Sequence, residues 1–356
     1  FLKANCASPG SCNMVINGGF ETNAIPDNEG QLMKACGWEK TNINGSPDLF
    51  HTNATNATML IPCNSFGIQT TDNASANKAY AGTWFSEASG HESFGTKLAS
   101  PLLPNTTYRI SFDVSLAETQ SGNATQFQAY CSTTPIVNSS GYDIAIANPS
   151  MLFTSPTLNT VTNGWQNVSF TFTTPATAGQ QYLYLGGLSN VTFDYDPLRV
   201  VTDNTCTHPI GYSASRAYYY VDNVSLKEQR TPTISGSSAS CVTAGNNSTS
   251  NTATIPAGYT GQWTITGGTG TIIGASNQST LNVNWSQLPG YLSFSLTNPN
   301  GCVFTQTKTI ADQCACNCLP TTTFTPVISN NVVTITLGNS TPGCTSGSRK
   351  MVFNFG

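Results

Sequence analysis

The chemical group that stands out in this sequence is an aspartate inside an apolar strand pattern. The stretch YYYVDNVSL, residues 218–226, alternates with a period of two, which is typical of a half-buried β-strand. Its predicted apolar face consists of Tyr218, Tyr220, Val224 and Leu226. Asp222 falls on the same face, and a bare buried carboxylate either costs several kcal/mol or becomes protonated. The pattern predicts a β-bulge, a hydrogen-bonded partner or a cation at Asp222, with the partner in NGGFE, residues 17–21.

Groups that could perform acid–base or nucleophilic catalysis form no recognised pattern. The histidines lie outside any HExxH run, and the sequence has neither a GxSxG elbow nor a Walker loop. Asp194 and Asp196 have the composition of a glycosidase carboxylate pair, but a turn or a cation-binding loop explains FDYDP better. His91 and Glu92 are better explained by a polar loop. The sequence predicts that the protein is not an enzyme.

Twelve cysteines in a chain with few charges indicate an oxidising, extracellular compartment. Cys314, Cys316 and Cys318 form a Cys-x-Cys-x-Cys run, which departs from the wider spacing of structural zinc sites. Disulfides are therefore favoured over a metal in this run. Near the start of the chain, Cys6 and Cys12 are close enough in sequence to form a disulfide.

The composition excludes several classes of partner. Only 8% of the 356 residues are charged, against about 25% in typical globular proteins. The net charge of −4 offers no basic patch for nucleic acid or an anionic membrane. No apolar run reaches the ~18 residues of a membrane span.

Short alternating runs predict an all-β chain in three parts: residues 1–230, 231–312 and 313–356. In the first part, residues 108–116 alternate apolar and polar side chains, as a half-buried strand does. The second part has three predicted apolar faces, formed by Trp263 and Ile265, by Leu281, Val283 and Trp285, and by Leu292, Phe294 and Leu296. Two sheets facing each other would bury them. Cys241 and Cys302 bracket this part and are predicted to form a disulfide.

The strands NMVINGGFE and YYYVDNVSL resemble the opening and closing strands of jelly-roll carbohydrate-binding modules. Residues 35–53 and 76–85 resemble the variant found on surface proteins of type IX-secreting, often gliding bacteria. GQWTITGG, TLNVNW and YLSFSLTNPNGC resemble an immunoglobulin-like PKD module of the same class of proteins. The resemblance implies a jelly-roll β-sandwich, an Ig/PKD-like β-sandwich and a secreted, cell-surface location.

The jelly-roll resemblance also implies ligands. Modules of this kind often hold a structural calcium ion near the first and last strands, and the matching positions here are Glu21 and Asp222. A Glu exposed after a turn and an Asp bonded to backbone amides is the alternative. Sugar binding needs exposed aromatic rings with polar groups nearby. The candidates are Trp84, Tyr80, Gln128 and Tyr130, of which Tyr80 and Tyr130 are better explained as core residues.

The last part, residues 313–356, is too short to stabilise a sandwich alone. Its strand-like runs place Val333, Ile335 and Leu337 on one face, and Met351, Phe353 and Phe355 on another. Strands with open apolar faces invite pairing with other chains. We therefore expect a non-enzymatic extracellular surface protein with a structural or adhesive role that self-assembles into a filament or sheath. The alternative is a protein that targets polysaccharide through a glycan-binding module.

Overall fold

The computed structural model describes residues 6, 12–71, 77–86, 90–118, 122–124, 126–136, 144–158, 164–189, 193–195, 216–242, 245, 247–313, 327–329 and 332–334. The chain divides into two compact units, Phe1–Arg230 and Thr231–Gly356. Helical structure within the described residues is limited to three short 3-10 turns, Leu32–Lys34, Ala57–Met59 and Pro149–Met151. The predicted all-β fold class is confirmed. In the described residues, no helix is long and apolar enough to span a membrane.

The first unit is a jelly-roll sandwich. Its strands are β1 (Trp38–Lys40), β2 (Asp48–His51), β3 (Cys63–Asn64), β4 (Gly67–Ile68), β5 (Ala79–Ser86), β6 (Gly90–His91), β7 (Ser93–Lys97), β8 (Thr107–Leu116), β9 (Gly122–Ala124), β10 (Gln128–Ser132), β11 (Leu152–Thr154), β12 (Gln166–Thr173), β13 (Tyr182–Gly186), β14 (Phe193–Tyr195) and β15 (Arg216–Glu228). One sheet has the order β1-β7-β13-β10-β11. The other has the order β12-β8-β15-β5-β2, with β6 paired to β5.

The main hydrophobic core lies between these two sheets. It takes Phe94 and Leu183 from the five-stranded sheet and Phe112 and Tyr219 from the six-stranded sheet. The predicted alternation of β8 is confirmed, because Ile110, Phe112 and Val114 are buried there. Strand β15 is the centre of the six-stranded sheet and pairs antiparallel with both β5 and β8.

A bulge in β15 divides its apolar residues between two cores. The register with β8 shifts between Asp222 and Ser225, and Asn223 has a φ of 53°. An extra residue in a strand reverses which side chains point to a given face. Tyr218 and Tyr220 therefore join an outer cluster, whereas Val224 and Leu226 join the core between the sheets. The predicted single face containing all four residues is wrong, while the predicted bulge at Asp222 is present.

The outer cluster lies on the face of the six-stranded sheet that points away from the core between the sheets. It contains Phe50, Met59, Ile61, Tyr80, Ala117, Tyr218 and Tyr220. The hairpin of β3 and β4 packs on this cluster, and two tyrosine hydroxyls form hydrogen bonds with residues in the hairpin or next to it. Tyr220 donates to Asn64 Oδ1 at 2.8 Å, and Tyr80 donates to the carbonyl of Gln69 at 2.9 Å.

The second unit is built around one long hairpin. Its strands are β16 (Ile234–Gly236), β17 (Ala239–Ser240), β18 (Ser248–Ala253), β19 (Thr260–Ile273), β20 (Thr280–Thr297), β21 (Val303–Asp312), β22 (Val327–Ser329) and β23 (Val332–Thr334). The first half of β20 pairs with β18 and its second half with β21, while β19 pairs along both halves. Its core confirms the predicted inward faces: Trp263, Leu281, Val283, Trp285, Leu292, Phe294 and Leu296 are buried.

Both predicted disulfides are wrong. Cys6 is bonded to Cys36, with the two Cα atoms 5.7 Å apart, and Cys12 is an exposed thiol. The amide of Cys36 donates to the carbonyl of Thr22 at 2.8 Å, which ties Cys36 to the loop that follows the NGGFE stretch. Cys6 is therefore bonded to the cysteine that lies close to it in the fold, and not to the one nearest to it in sequence.

Cys241 and Cys302 lie at opposite ends of β21. Cys241 follows β17, which pairs with Ala311 and Asp312, whereas Cys302 immediately precedes Val303. A ten-residue strand spans about 30 Å, far beyond the ~7 Å limit for a disulfide. Cys302 is a buried thiol, whereas Cys241 is disulfide-bonded.

The proposed assembly residues lie largely outside the described part of the chain. Ile335, Leu337, Met351, Phe353 and Phe355 are not described, and only the backbone of Val333 is. Val333 lies in β23, which pairs antiparallel with β22, so this strand has a partner within its own chain. Cys314, Cys316 and Cys318 also lie outside the described residues.

Candidate functional site

Three tyrosines line one face of the five-stranded sheet. Tyr182 and Tyr184 are alternate residues of β13, and Tyr184 is directly opposite Tyr130 in β10. The rings of Tyr182 and Tyr184 are stacked, with centroids 6.5 Å apart and planes 16° apart. Tyr184 and Tyr130 are 6.4 Å and 26° apart. We call these three residues the tyrosine face.

Cross-strand neighbours support this arrangement. Gly95 is opposite Tyr184 in β7, and a Cβ atom on Gly95 would lie 2.3 Å from the Tyr184 ring. A side chain at position 95 would displace the ring, so the glycine permits the stack. Lys97 is opposite Tyr182, and exposed Glu39 is opposite Gly95, so charged groups border the aromatic rings.

The inner two tyrosines are covered, whereas Tyr182 is only partly buried. The Tyr184 hydroxyl accepts from the Ile136 amide at 2.8 Å, and the Tyr130 hydroxyl accepts from the Asn148 amide at 3.2 Å. Burial raises the pKa of Tyr184 to about 12. These contacts fix the buried rings, and the buried rings in turn fix Tyr182, which is left as a rigid aromatic surface at the edge of the stack.

The predicted sugar-binding residues do not form one exposed site. Tyr80 is fully buried in the outer cluster, and Tyr130 is 2% exposed. Gln128 is buried, and its Oε1 accepts from the amides of Leu188 and Ser189 at 3.0 and 2.9 Å. Trp84 is half-buried on the other sheet, with the Arg216 guanidinium 4.9 Å from its ring centroid. The interpretation of Tyr80 and Tyr130 as core residues is confirmed, and the prediction of Gln128 as an accessible ligand contact is wrong, because its side chain is buried.

Sequence inspection missed Tyr182 and Tyr184. The alternation YLY at residues 182–184 places the two rings on one face, and this signal was present in the sequence. Their relation to Tyr130 was not, because it depends on the register between β13 and β10.

Glu21 and Asp222 both lie close to Gly19. A Cβ atom on Gly19 would be 3.8 Å from Asp222 Oδ1 and 3.8 Å from Glu21 Cγ. The Glu21 carboxylate accepts from the amides of Lys78 and Ala79 at 2.9–3.1 Å. Asp222 Oδ1 accepts from the Asn223 amide at 2.7 Å. Gly19 of NGGFE thus lies beside Asp222, and the bonding partnership of NGGFE with Asp222 stays a prediction. Both carboxylates bind backbone amides, as the alternative interpretation expected.

Backbone hydrogen bonds join the segment NMVINGGFE to β15 at and after the bulge. The Val224 amide donates to the Gly18 carbonyl at 2.8 Å, and the Met14 amide donates to the Leu226 carbonyl at 2.8 Å. In the described residues, no group of three or more His, Cys, Asp or Glu side chains is placed to hold a metal. Any cation at Glu21 and Asp222 would therefore need backbone oxygens as well.

A second pair of acids, Asp48 and Glu92, is buried beside the outer cluster. Asp48 accepts from the Gly30 amide at 2.6 Å and from the Tyr218 hydroxyl at 2.5 Å. Glu92 accepts from the Ser46 amide at 2.6 Å and from the Trp84 amide at 3.2 Å. Burial raises the pKa of Glu92 to about 7. Burial and the nearby Glu92 raise the pKa of Asp48 to about 8.

Comparison with known proteins adds structural neighbours but no family. No family model and no curated protein matches the chain. Among solved structures, it is similar to "Family 16 Carbohydrate Binding Module-2", with 16% identity, a TM-score of 0.29, and coverage of 60% of this chain and 99% of that one. It is also similar to the K1 cleaved adhesin domain of Lys-gingipain from Porphyromonas gingivalis W83, with 12% identity, a TM-score of 0.28, and coverage of 60% and 96%. The fold defines this chain as an all-β protein with a jelly-roll sandwich.

Proposed function

We propose that this chain is a non-enzymatic, extracellular surface protein with an adhesive role, and that its jelly-roll unit binds carbohydrate at Tyr182. The partly buried Tyr182 ring, held by the two buried tyrosines behind it, carries the proposal. The C–H faces of a pyranose pack on an aromatic ring, and the hydroxyls need hydrogen-bonding groups at the border. Lys97, directly opposite Tyr182, supplies such a group.

A rigid aromatic platform suits weak, repeated binding of sugar units. Because stacking already orders the Tyr182 ring, ligand binding costs the protein little further side-chain entropy. The low charge of the chain favours a neutral ligand over a charged one. The proposed ligand is therefore a neutral polysaccharide, and the proposed chemistry is binding without bond cleavage.

Replacing Tyr182 with Ala is expected to weaken binding to neutral polysaccharides without unfolding the protein, because this ring is only partly buried. Loss of a stacked ring corresponds to roughly 1–3 kcal/mol, or a 5- to 150-fold weaker Kd. Glycan-array screening followed by titration calorimetry would measure the change.

Tyr291→Ala is the matched control, because Tyr291 is an exposed tyrosine on the second unit. It should bind like the wild type. Binding that survives Tyr182→Ala but is lost in Trp84→Ala would place the ligand on the six-stranded sheet and contradict the proposed site. A wild-type protein that binds no glycan on the array would contradict the carbohydrate function itself.

We also propose a structural calcium ion between Glu21 and Asp222. Both side chains lie close to Gly19, and calcium prefers hard oxygen ligands such as carboxylates. The ion would tie the NGGFE stretch to the bulge of β15. It would have no part in ligand chemistry.

Calcium is expected to raise the melting temperature of the wild-type protein by several degrees over a chelator-treated sample, because an ion that binds only the folded state stabilises it. Asp222→Asn keeps the oxygen that accepts from Asn223 but removes the charge, so its melting temperature should not respond to calcium. Asp27→Asn, at an exposed site, should respond like the wild type. Identical wild-type melts with calcium and with chelator would refute the ion.

Self-assembly into a filament or sheath is proposed as well, with the C-terminal residues Val333, Ile335, Leu337, Met351, Phe353 and Phe355 as contacts. The support is the sequence pattern, in which two short runs each place three apolar side chains on one face. Such faces are stabilised when another strand or sheet covers them.

A further inference from the structure

The open edge of the six-stranded sheet is the outer side of β12. This strand pairs with β8 over all eight of its residues, from Gln166 opposite Val114 to Thr173 opposite Thr107, with no register shift. From Asn167 to Thr173, no backbone hydrogen bond joins its other side to a described residue. Alternate amides and carbonyls of this stretch therefore point away from the sheet.

Natural proteins usually protect such edges with charges, proline, bulges, short strands or a covering segment. The sequence of β12, QNVSFTFT, contains no charged residue and no proline. Its pairing with β8 has no bulge. Strand β12 is therefore not protected by a charge, a proline, a bulge or a short length.

The other end strands of the described sheets are protected. Strands β1, β11 and β16 have three residues each and β17 has two, and β1 also contains Glu39 and Lys40. Strand β2 has four residues, all of them buried. Strand β19 is long, but its register shifts repeatedly and the Trp263 amide donates to the carbonyl of Ser276. Strand β12 is thus an eight-residue end strand of the described sheets that lacks these devices.

An incompletely covered apolar surface lies beside the same edge. Phe170 of β12 and Phe153 of β11 are only partly buried, and their ring centroids are 5.9 Å apart. Both strands end their sheets on this side of the sandwich. A strand added to β12 would place its inward side chains next to Phe170, and would bury more of both rings.

We propose that β12 is an association edge, on which β12 of a second copy pairs antiparallel about a two-fold axis and joins the two six-stranded sheets. Antiparallel pairing of a strand with its own copy is the isologous arrangement that a two-fold axis produces. Because β12 is uncharged, self-pairing brings no like charges opposite each other. The polar side chains of the outer face do not block the edge: Asn167 donates to Asp113 and Ser169 accepts from Arg109, both within the same sheet.

The occupant is a second copy rather than a charged partner chain. A charged peptide that pairs with β12 would lose the hydration of its charges, and the uncharged strand would form no ion pair to compensate. Self-pairing instead matches Phe170 with Phe170 and one neutral edge with another. The contact is small, so we expect a weak dimer whose population rises with concentration. This association is separate from the C-terminal contacts of the proposed function.

The test is a sedimentation-velocity concentration series on the full chain, with Thr171→Glu as the variant. Thr171 is exposed and opposite Arg109 in β8, so a glutamate there gains an intramolecular ion pair while placing two negative charges close together across the dimer. The wild type should shift toward the dimer with concentration, whereas the variant should stay monomeric at an unchanged melting temperature. Thr264→Glu, at an exposed strand position of the second unit, should dimerise like the wild type.

Hydrogen exchange locates the contact independently. Peptides covering residues 166–173 should become protected as concentration rises, and should stay unprotected in Thr171→Glu. A wild type that remains monomeric at its highest soluble concentration overturns the proposal. So does a dimer that forms without protection of residues 166–173. If that dimer disappears when residues 330–356 are deleted, association runs through the C-terminal contacts and the proposed self-assembly stands without this edge.

Discussion

The protein is expected to lose stability as pH rises from 5 to 9, because Asp48 and Glu92 are buried as a pair. Their pKa values are about 8 and about 7 in the folded chain, against ordinary values of 3.8 and 4.5. Between about pH 4 and pH 8 the folded state therefore binds more protons than the unfolded state. The stability that these groups contribute is complete below pH 4 and is lost as pH rises through 7 and 8.

The size of this effect follows from the shift at Asp48. A difference between pKa values of 3.8 and about 8 corresponds to on the order of 5 kcal/mol between the two protonation states. Denaturant unfolding of the wild type at pH 5, 7 and 9 measures the loss. A stability that is constant, or that rises, over this range would show that the pair does not titrate as described.

Asp48→Asn separates this pair from other titrating groups. The asparagine amide keeps an oxygen for the Gly30 amide and a donor for the Tyr218 oxygen, but it cannot ionise. We expect the variant to be on the order of 3 kcal/mol more stable than the wild type at pH 9, and similar to it at pH 5. Glu39→Gln changes an exposed carboxylate on β1 and should follow the wild-type profile.

Replacing Gly18 with Ala is expected to destabilise the jelly-roll unit by about 3–5 kcal/mol. A Cβ atom at position 18 would lie 1.9 Å from the Val224 carbonyl oxygen and 2.9 Å from its carbon. Both are backbone atoms of the β15 bulge, so no side-chain rotation relieves the clash. The NGGFE stretch would have to separate from the last strand of the sheet.

Gly164→Ala is the matched control, because no atom lies within 4 Å of a Cβ atom built there. Its unfolding transition should coincide with that of the wild type. Calorimetry should show that Gly18→Ala lowers the transition of the first unit and leaves that of the second unit unchanged. Equal melting of the two glycine variants would show that the contact between Gly18 and Val224 does not stabilise the fold.

The sequence alone indicated many of the strands and most of the buried faces, although NMVINGGFE, which resembled an opening strand, forms turns and bends in the structure. In β8 and β20 the alternation of apolar and polar residues is regular, and Phe112, Val283 and Phe294 are buried as predicted. Period-two alternation is a local property, because successive side chains of a strand point to opposite faces. It therefore identifies a buried face without any knowledge of which strand lies alongside.

The sequence also identified Asp222 as a position where regular pairing fails. A carboxylate in an apolar pattern can be recognised from the sequence, and in the structure Asp222 lies at a bulge and accepts from the Asn223 amide. What the sequence did not supply was the consequence of the bulge, which sends Tyr220 to the outer cluster and Val224 to the inner core. The side chains change faces only after the extra residue is located.

Only the tertiary structure decided which groups meet. Tyr184 meets Tyr130 because β13 and β10 pair in one particular register. Cys6 joins Cys36, and Asp48 lies near Glu92, because segments far apart in sequence pack together. Cross-strand neighbours depend on strand order and register, which are set by the whole sheet, so no local pattern contains them.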